Sequence, residues 1–273
     1  NSLIVIMEHF KNKVLTIAGS DSGAGAGIQA DLKTFSALGV YGVSVITAVT
    51  AQNSIGVQDV RVMDEEIIKS QIDSVLSDIG AICIKTGMLA EKGIINLVAE
   101  KIREYNISNL IVDPVMVSES GDSLLKEEAI DAYLSELFPL SILITPNILE
   151  AEKISNIKIT SKESLIESGK KIINLGANNV LIKGGHFQEK FAEDFLFTRD
   201  GKIISFKENR VNTTNTHGTG CTLSSAIASY TSKGEALEFA IRKSKDYLTN
   251  ALKNSYKVGS GPGPVNHFYG LKN

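Results

Sequence analysis

The chain has 273 residues, of which 43% are hydrophobic, and it carries a formal net charge of −3 at pH 7. This composition supplies one large core, and the absence of a basic block excludes a protein whose main ligand is a nucleic-acid backbone. No apolar run approaches the ~18 residues that a membrane-spanning helix requires, so we expect no membrane partner.

The two cysteines, Cys83 and Cys221, stand too far apart to indicate a zinc site or a disulfide framework. We therefore expect a reducing compartment and a cytoplasmic protein. Residues 1–12 are interpreted as an N-terminal extension or a cloning remnant, with Met7 as the native start. A short extra strand at residues 3–7 is the alternative. Residues 13–273 contain no linker or repeat and are predicted to form one domain.

In chain order, short β-branched runs alternate with longer amphipathic stretches. The runs predict strands at residues 14–18, 43–49, 81–85, 110–112, 142–144 and 180–183. The amphipathic stretches predict helices at residues 27–38, 64–76, 93–104, 161–175, 220–232 and 234–253. A hairpin is predicted from residues 194–197 and 203–206, which flank Asp200-Gly201. This alternation is typical of a mostly parallel sheet with helices on both faces.

Polar and glycine-rich residues follow the predicted strands, at the point where each strand ends. They are residues 19–27, 86–88, 113–116, 145–147 and 184–186. In open α/β sheets, ligands bind beyond the carboxyl ends of the strands. The sequence therefore predicts a catalytic crevice along this edge of the sheet.

The first glycine-rich segment, residues 19–27, satisfies a loose dinucleotide-binding pattern at residues 25–30. That pattern also needs an acidic residue at the end of the second strand, and residues 43–50 contain none. No Gly-Lys pair has the flanking residues of a Walker A loop. A nicotinamide-dependent dehydrogenase and a P-loop enzyme are therefore both disfavoured.

The second glycine-rich segment, residues 215–221, opens an apolar helix. Small residues at a helix start leave backbone N–H groups free to bind an anion such as a transferring phosphoryl group. An ordinary helix cap by Thr216 or Thr219 explains the same residues. The segment alone leaves both interpretations open.

The segment Gly218-Thr219-Gly220-Cys221 resembles the anion-hole motif of the ribokinase-like superfamily. Its cysteine form is similar to that of the hydroxymethylpyrimidine and phosphomethylpyrimidine kinases, and to that of a related group of bacterial pyridoxal kinases. Seven further blocks resemble the same family in the same order: residues 15–23, 27–34, 49–53, 85–89, 112–116, 145–151 and 183–186, with a tail block at 263–268 completing the series.

This resemblance implies a three-layer α/β/α ribokinase-like fold with a mostly parallel central sheet. It implies the cofactors ATP and Mg²⁺, and a small-molecule pyrimidine as the partner. The reaction would phosphorylate 4-amino-5-hydroxymethyl-2-methylpyrimidine and then its monophosphate to the diphosphate, for thiamine biosynthesis. A homodimer is expected because members of the family are often dimers.

The resemblance also implies catalytic residues. Cys221 would be the general base, and the backbone of Gly218, Thr219 and Gly220 would hold the phosphoryl oxygens. Because a helix N-terminus makes a thiol more acidic, we expect a lowered pKa for Cys221. Plain packing of a free cysteine is the alternative.

For the pyrimidine, the resemblance implies polar contacts from Gln52 and Asp31, since an amide matches the donor and acceptors of an aminopyrimidine. Apolar walls and a close backbone would come from four further residues: Met88, Val115, Gly19 and Ala26. Core packing is the alternative for Met88 and Val115. A solvated helix face is the alternative for Asp31.

For the nucleotide, Asn147 and Glu150 resemble the magnesium and phosphate motif of the superfamily, with Asp113 nearby at a strand end. Asp113 and Glu150 would hold Mg²⁺, and Lys183 and Thr219 would contact phosphate. A capping box explains Asn147 and Glu150 equally well, and both interpretations can hold together. A surface lysine is the alternative for Lys183.

Two positions depart from the patterns of relatives, and only the second bears on a rival function. Relatives commonly have glycine where this chain has Ala24, which would be unfavourable if that position needs a positive φ. Pyridoxal kinases of the cysteine group carry a second cysteine where this chain has Ser118, so the pyrimidine kinase is favoured over vitamin B6 salvage. An inactive pyrimidine-binding regulator is the remaining alternative. No role is assigned to His217 or His267.

Overall fold

The computed structural model describes residues 12–116, 129–184 and 190–271. Residues 1–11, and with them nearly all of the expected N-terminal extension, lie outside the described residues. So do Ser118 with the rest of segment 118–125, and the predicted strand-end residues Gly185 and His186.

A nine-stranded sheet crosses the molecule in the order β3-β2-β1-β4-β5-β6-β7-β8-β9. The strands are β1 (Lys13–Asp21), β2 (Tyr41–Gln52), β3 (Val57–Val62), β4 (Cys83–Thr86), β5 (Leu110–Val112), β6 (Leu143–Ile144), β7 (Asn179–Ile182), β8 (Phe191–Thr198) and β9 (Ile203–Asn209). The strands β2, β1, β4, β5, β6 and β7 are parallel. β3, β8 and β9 pair antiparallel at the two edges.

The helices of the described residues cover both faces of this sheet. They are α1 (Gly27–Ala37), α2 (Glu65–Ser74), α3 (Lys92–Glu104), α4 (Ala129–Ala132), α5 (Ile148–Ser155), α6 (Lys162–Asn174), α7 (Thr219–Ser232) and α8 (Leu237–Lys253). π-helical turns extend α2 and α4, at Val75–Ile79 and Tyr133–Leu137, and a 3₁₀ turn at Phe138–Leu140 follows the second. None of the described helices is long and apolar enough to cross a membrane.

Two apolar layers hold the helices against the sheet. Side chains of α2 to α6 pack on one face with Leu15, Ile17 and Ile84. Side chains of α1, α7 and α8 pack on the other face with Val14 and Cys83. Neighbouring strand residues such as Val14 and Leu15 thus enter opposite layers, as the period of a strand requires. The predicted three-layer α/β/α fold is confirmed.

Most predicted elements are confirmed with shifted ends, and one strand is new. β1 and β2 run longer than predicted because they continue through polar residues at the edge of the sheet. β3 was not predicted, since its sequence VQDVRV has three polar residues among six, and only Val60 and Val62 form a short apolar face. The assignment of residues 13–273 to one domain stays a prediction.

The order of the strands marks where a ligand binds. The chain goes from β1 to β2 on one side and later to β4 on the other, so the direction of winding reverses between β1 and β4. Crevices at such reversals, beyond the carboxyl ends of the strands, are the usual ligand sites of open α/β sheets. Gly19 near the end of β1 and Gly87 after β4 therefore lie at the favoured position.

Candidate active site

A cavity of about 620 Å³ opens at the carboxyl ends of the parallel strands. Every predicted site residue except Asp31 lines it: Gly19, Ala26, Gln52, Met88, Asp113, Val115, Asn147, Glu150, Lys183, Gly218, Thr219, Gly220 and Cys221. The structure therefore brings together seven separate stretches of the sequence. What each residue binds stays a prediction.

The first residues of α7, Thr219 to Cys221, line this cavity. Gly218 is the N-cap residue with φ +80°, and a Cβ there would lie 1.8 Å from the Gly25 carbonyl oxygen. Only glycine fits this close approach in a left-handed conformation. A Cβ on Gly220 would lie 3.3 Å from Lys183 Nζ, so the helix start also lies beside a cation. This combination suits an anionic ligand.

Asp21 organises the first glycine-rich loop and joins it to the second. Its carboxylate accepts hydrogen bonds from the N–H groups of Gly23 (2.8 Å), Gly25 (3.0 Å) and Ala26 (2.8 Å). It also lies 3.1 Å from Nε2 of His217. Burial alone would raise the pKa of Asp21, but the bonds from His217 and the backbone outweigh it and lower that pKa. Sequence reasoning missed this role, which no spacing reveals.

Cys221 is half-buried and is the third residue of α7, which begins at Thr219. Burial raises the pKa of its thiol to about 11, although the Lys85 ammonium and the Gly27 N–H favour the thiolate. The expectation of a lowered pKa is therefore wrong. The helix N-terminus acts within one turn, but desolvation of the sulfur is the larger effect here.

Asp31 lies beneath the cavity and does not line it. Its fully buried carboxylate accepts hydrogen bonds from Lys85 Nζ (2.9 and 3.0 Å), Thr16 Oγ1 (2.6 Å) and Ser225 Oγ (2.6 Å). The predicted contact between Asp31 and the pyrimidine is therefore corrected, because this carboxylate is fully buried and does not line the cavity. Lys85 does line the cavity and was overlooked. A lysine that ends an apolar run beside Thr-Gly was the available signal.

A second cluster lies at the ends of β5, β6 and β7. Asp113 accepts hydrogen bonds from Lys183 Nζ (3.0 Å) and Thr145 Oγ1 (3.1 Å) through one oxygen, and from Ser224 Oγ (3.2 Å) through the other. Burial would raise the pKa of Asp113, but the ammonium groups of Lys183 and Lys85 overcome it and lower that pKa. Lys183 is only 15% exposed, so it is not a surface lysine.

Asn147 and Glu150 form a capping box at the start of α5. The Asn147 side chain accepts from the Glu150 N–H at 2.9 Å, and Glu150 Oε2 accepts from the Asn147 N–H at 2.8 Å. Glu150 nevertheless lines the cavity. Burial raises its pKa to about 7, because the Lys183 ammonium offsets only part of that effect and the Asp113 carboxylate adds to it. The capping interpretation is confirmed, and it is compatible with the predicted binding of magnesium and phosphate by the same residues.

The far end of the cavity is closed by β8, β9 and α8. Asp194 accepts hydrogen bonds from the Gly184 N–H (3.0 Å) and from Lys245 Nζ (2.5 Å). These groups were also missed, since Lys245 is one of several lysines on an amphipathic helix. Apolar walls with one cation complete this end: Val211, Leu223, Leu248, Leu252 and Arg210.

The architecture and the site define a class of protein. The fold has three layers, α/β/α, and a helix that begins at a glycine lies beside carboxylates and lysines at the strand ends. This combination is that of a ribokinase-like kinase of small molecules. The phosphomethylpyrimidine kinase family model matches residues 21–266. The Escherichia coli hydroxymethylpyrimidine/phosphomethylpyrimidine kinase is 45% identical, over 93% of this chain and 97% of its own.

A longer relative and three solved structures are also similar to this chain. A bifunctional thiamine biosynthesis protein of Geobacter sulfurreducens is 46% identical over 94% of this chain, which spans 52% of that relative. The Clostridium difficile phosphomethylpyrimidine kinase has a TM-score of 0.79 at 46% identity, covering 89% of this chain and 100% of its own. Bacillus subtilis pyridoxal kinase, an ADP complex, has a TM-score of 0.87 at 38% identity over 94% and 97%. Staphylococcus aureus pyridoxal kinase, in complex with AMP-PCP and pyridoxal, has a TM-score of 0.87 at 33% identity, covering 94% of this chain and 94% of its own. The chain belongs to the phosphomethylpyrimidine kinase family, and it is a kinase.

Proposed function

We propose that this chain transfers the terminal phosphoryl group of ATP to the hydroxyl of 4-amino-5-hydroxymethyl-2-methylpyrimidine, and then to the resulting monophosphate, in thiamine biosynthesis. One observation carries the proposal: the N-terminus of α7 opens into one cavity between two differently lined ends. One end suits a small polar ring, and the other suits a nucleotide. Family membership supplies the identity of the ring.

The acceptor end is lined by Gly19, Ala26, Gln52, Met88 and Val115. Gln52 Oε1 accepts a hydrogen bond from Thr50 Oγ1 at 3.2 Å, which orients the amide. Its amide NH₂ group can then donate to a ring nitrogen of an aminopyrimidine. Met88 is only 8% exposed and packs with Ala48, so it serves the core and the cavity wall together.

The donor end is supported by the relatives, since the B. subtilis neighbour is an ADP complex and a S. aureus neighbour holds AMP-PCP. In this chain Val211, Leu248 and Leu252 offer apolar walls for a base, and Arg210 lies among them. Lys183 lies between that end and Gly220, where a phosphate chain would pass. ATP therefore spans from the β9–α8 side to the start of α7.

The donor set of Asp113 and Glu150 fits a magnesium ion. Mg²⁺ is usually held by one or two carboxylates together with water and substrate phosphates. No group of three or more His, Cys, Asp or Glu side chains could hold a metal alone in the described part of the chain. The raised pKa of Glu150 marks a buried carboxyl group whose charged form a cation would favour. When bound, the ion would neutralise charge on the transferring phosphoryl group.

Cys221 accepts the proton of the alcohol in this mechanism. Its thiolate is the reactive form, and the Gly27 N–H and the Lys85 ammonium both favour it. The hydroxyl oxygen attacks the γ-phosphorus while the bond to the β–γ bridging oxygen breaks. The N–H groups at the start of α7 hold the phosphoryl oxygens during this exchange.

An ADP-release assay with MgATP and three acceptors tests the function. The acceptors are hydroxymethylpyrimidine, its monophosphate and pyridoxal, at equal concentration. Turnover of both pyrimidines, with pyridoxal much slower, is the expected result. Faster turnover of pyridoxal would assign the chain to vitamin B6 salvage, which the two pyridoxal kinase neighbours make the main competitor. No turnover of any acceptor would favour a silent pyrimidine-binding regulator.

We also propose the setting of the enzyme. The reaction takes place in the cytoplasm, where ATP is available and the free Cys221 thiol stays reduced. The proposed assembly is a homodimer, because closed two-fold dimers are the commonest soluble oligomers. Light scattering coupled to size-exclusion chromatography measures it, and a monomer mass would contradict it.

A further inference from the structure

Lys85 has a hydrogen-bond donor that the protein does not use. Its side chain is fully buried, and its ammonium donates to both oxygens of Asp31. An ammonium carries three N–H donors. Within the described part of the chain, no other acceptor contacts Lys85 Nζ. Lys85 lines the cavity, and its third donor is the one that a ligand there would accept.

The location of this ammonium is the acceptor end of the cavity. A Cβ on Gly87 would lie 3.0 Å from Lys85 Nζ and 3.0 Å from the Cβ of Ala18, so the amine lies just below the wall that Met88 and Gly19 form. Cys221 lies one helical turn before Ser225, whose hydroxyl bonds to Asp31 at 2.6 Å. The Lys85–Asp31 pair therefore lies within about one turn of the thiol.

The two acceptors of the proposed function make different demands on this end. An alcohol must lose its proton as its oxygen attacks, and a base must receive it. A phosphate monoester has a second pKa near 6, so its attacking oxygen is already ionised at neutral pH. It needs no base, but it brings a charge of about −2 that the site must bind.

We propose that Lys85 binds the phosphate of the monophosphate acceptor, so that the second transfer depends on Lys85 and the first on Cys221. This inference rests on the proposed function. In the first transfer, the hydroxyl proton moves to the Cys221 sulfur, the oxygen bonds to the γ-phosphorus and ADP leaves. In the second transfer, an ionised phosphate oxygen forms the new P–O–P bond and ADP leaves, with no proton to remove.

Two variants separate the roles by changing the ratio of kcat/KM for the monophosphate to kcat/KM for the alcohol. Cys221→Ser removes the base, so the ratio rises by about 100-fold, the smaller end of what general bases contribute. The double variant Lys85→Met/Asp31→Asn removes the donor without leaving a buried charge. Its ratio falls by about 10-fold, since hydrogen bonds to charged groups are the strong ones.

A merely structural effect does not produce this pattern, because it lowers both activities together. Lys85 lowers the pKa of Cys221 and Asp31 raises it, so their removal together has opposing effects on that pKa. A ratio that rises in Cys221→Ser and falls in the double variant supports the proposal. A ratio that stays constant in the double variant, or moves the same way in both variants, overturns it. If the wild type turns over neither pyrimidine, the proposed function itself fails.

The unmodified enzyme provides a second measurement, which does not depend on the folding of a variant. The charged groups that act on Cys221 are Lys85 from β4, Lys183 after β7, Asp31 from α1 and Asp113 after β5. Between pH 7 and 9, kcat/KM for the alcohol should rise by about 10-fold per pH unit as the thiolate fraction grows. For the monophosphate it should stay within about 2-fold, since that acceptor is ionised throughout. Parallel profiles for the two acceptors would overturn the proposal.

Discussion

Replacing Asp31 by asparagine removes the counter-charge of a fully buried lysine. The Asp31 and Lys85 side chains are both 0% exposed, and their closest N–O distance is 2.9 Å. Burial alone would lower the pKa of Lys85, yet Asp31 and its hydrogen bonds raise that pKa. The lysine therefore stays charged in the folded protein mainly because of the Asp31 carboxylate, to which the Asp113 carboxylate adds.

The expected cost of Asp31→Asn follows from this geometry. Breaking a buried pair by removing one partner destabilises proteins by about 3–5 kcal/mol, because the other charge is left uncompensated. For a chain of this size, each kcal/mol shifts Tm by about 2–4 °C. We therefore expect Tm to fall by on the order of 10 °C for Asp31→Asn.

Thermal denaturation followed by circular dichroism measures this change at pH 8. The matched control is Lys85→Met/Asp31→Asn, which keeps a similar volume and removes both charges. Replacing a whole buried pair by neutral groups is often neutral or stabilising, so this variant should recover most of the lost Tm. The reasoning is refuted if Asp31→Asn costs less than about 1 kcal/mol, or if the double variant is no more stable than the single one.

Three further predictions concern stability and the anion-binding loop. Ala24 has φ +61°, so Ala24→Gly should stabilise the protein by about 0.5–1 kcal/mol in urea denaturation, and a loss of stability would contradict the backbone conformation. Gly218→Ala should abolish phosphoryl transfer. The control Gly39→Ala, at φ +68° with open space around it, should lower the free energy of unfolding by only about 1 kcal/mol and keep activity. Equal effects of the two substitutions would contradict the close contact at Gly218. Burial lowers the pKa of His267 to about 4, below its unfolded value of 6.5, so its stabilising contribution is present above pH 6.5 and is lost as pH falls toward 4. The wild type should lose on the order of 3 kcal/mol more than His267→Gln across that range, and equal pH profiles would contradict this.

The sequence was sufficient for the layers and the cavity lining because both depend on local patterns. Apolar runs at residues 110–112 and 180–183 predict buried strands, and parallel strands bring their carboxyl ends to one edge. The polar residues that follow them therefore meet wherever the exact strand ends fall. β3 was missed because the apolar face of this edge strand, Val60 and Val62, is too short to stand out from its polar neighbours.

Partnerships across long stretches of sequence could not be predicted. Asp31 was expected to contact the pyrimidine, but its side chain turns inward because Thr16 and Lys85 on neighbouring strands bind it. The thiol pKa of Cys221 was predicted from its position at a helix start alone. The balance between burial and neighbouring charges, which sets that pKa, depends on the packed structure.

Phosphorus NMR of the products tests the central claim most directly. The purified protein is incubated with MgATP and hydroxymethylpyrimidine, and the spectrum is followed with time. Our account predicts that the monophosphate resonance appears first and is then replaced by the two coupled resonances of the diphosphate, as ATP is converted to ADP. Absence of any pyrimidine phosphate, under conditions where pyridoxal is phosphorylated, would contradict the account.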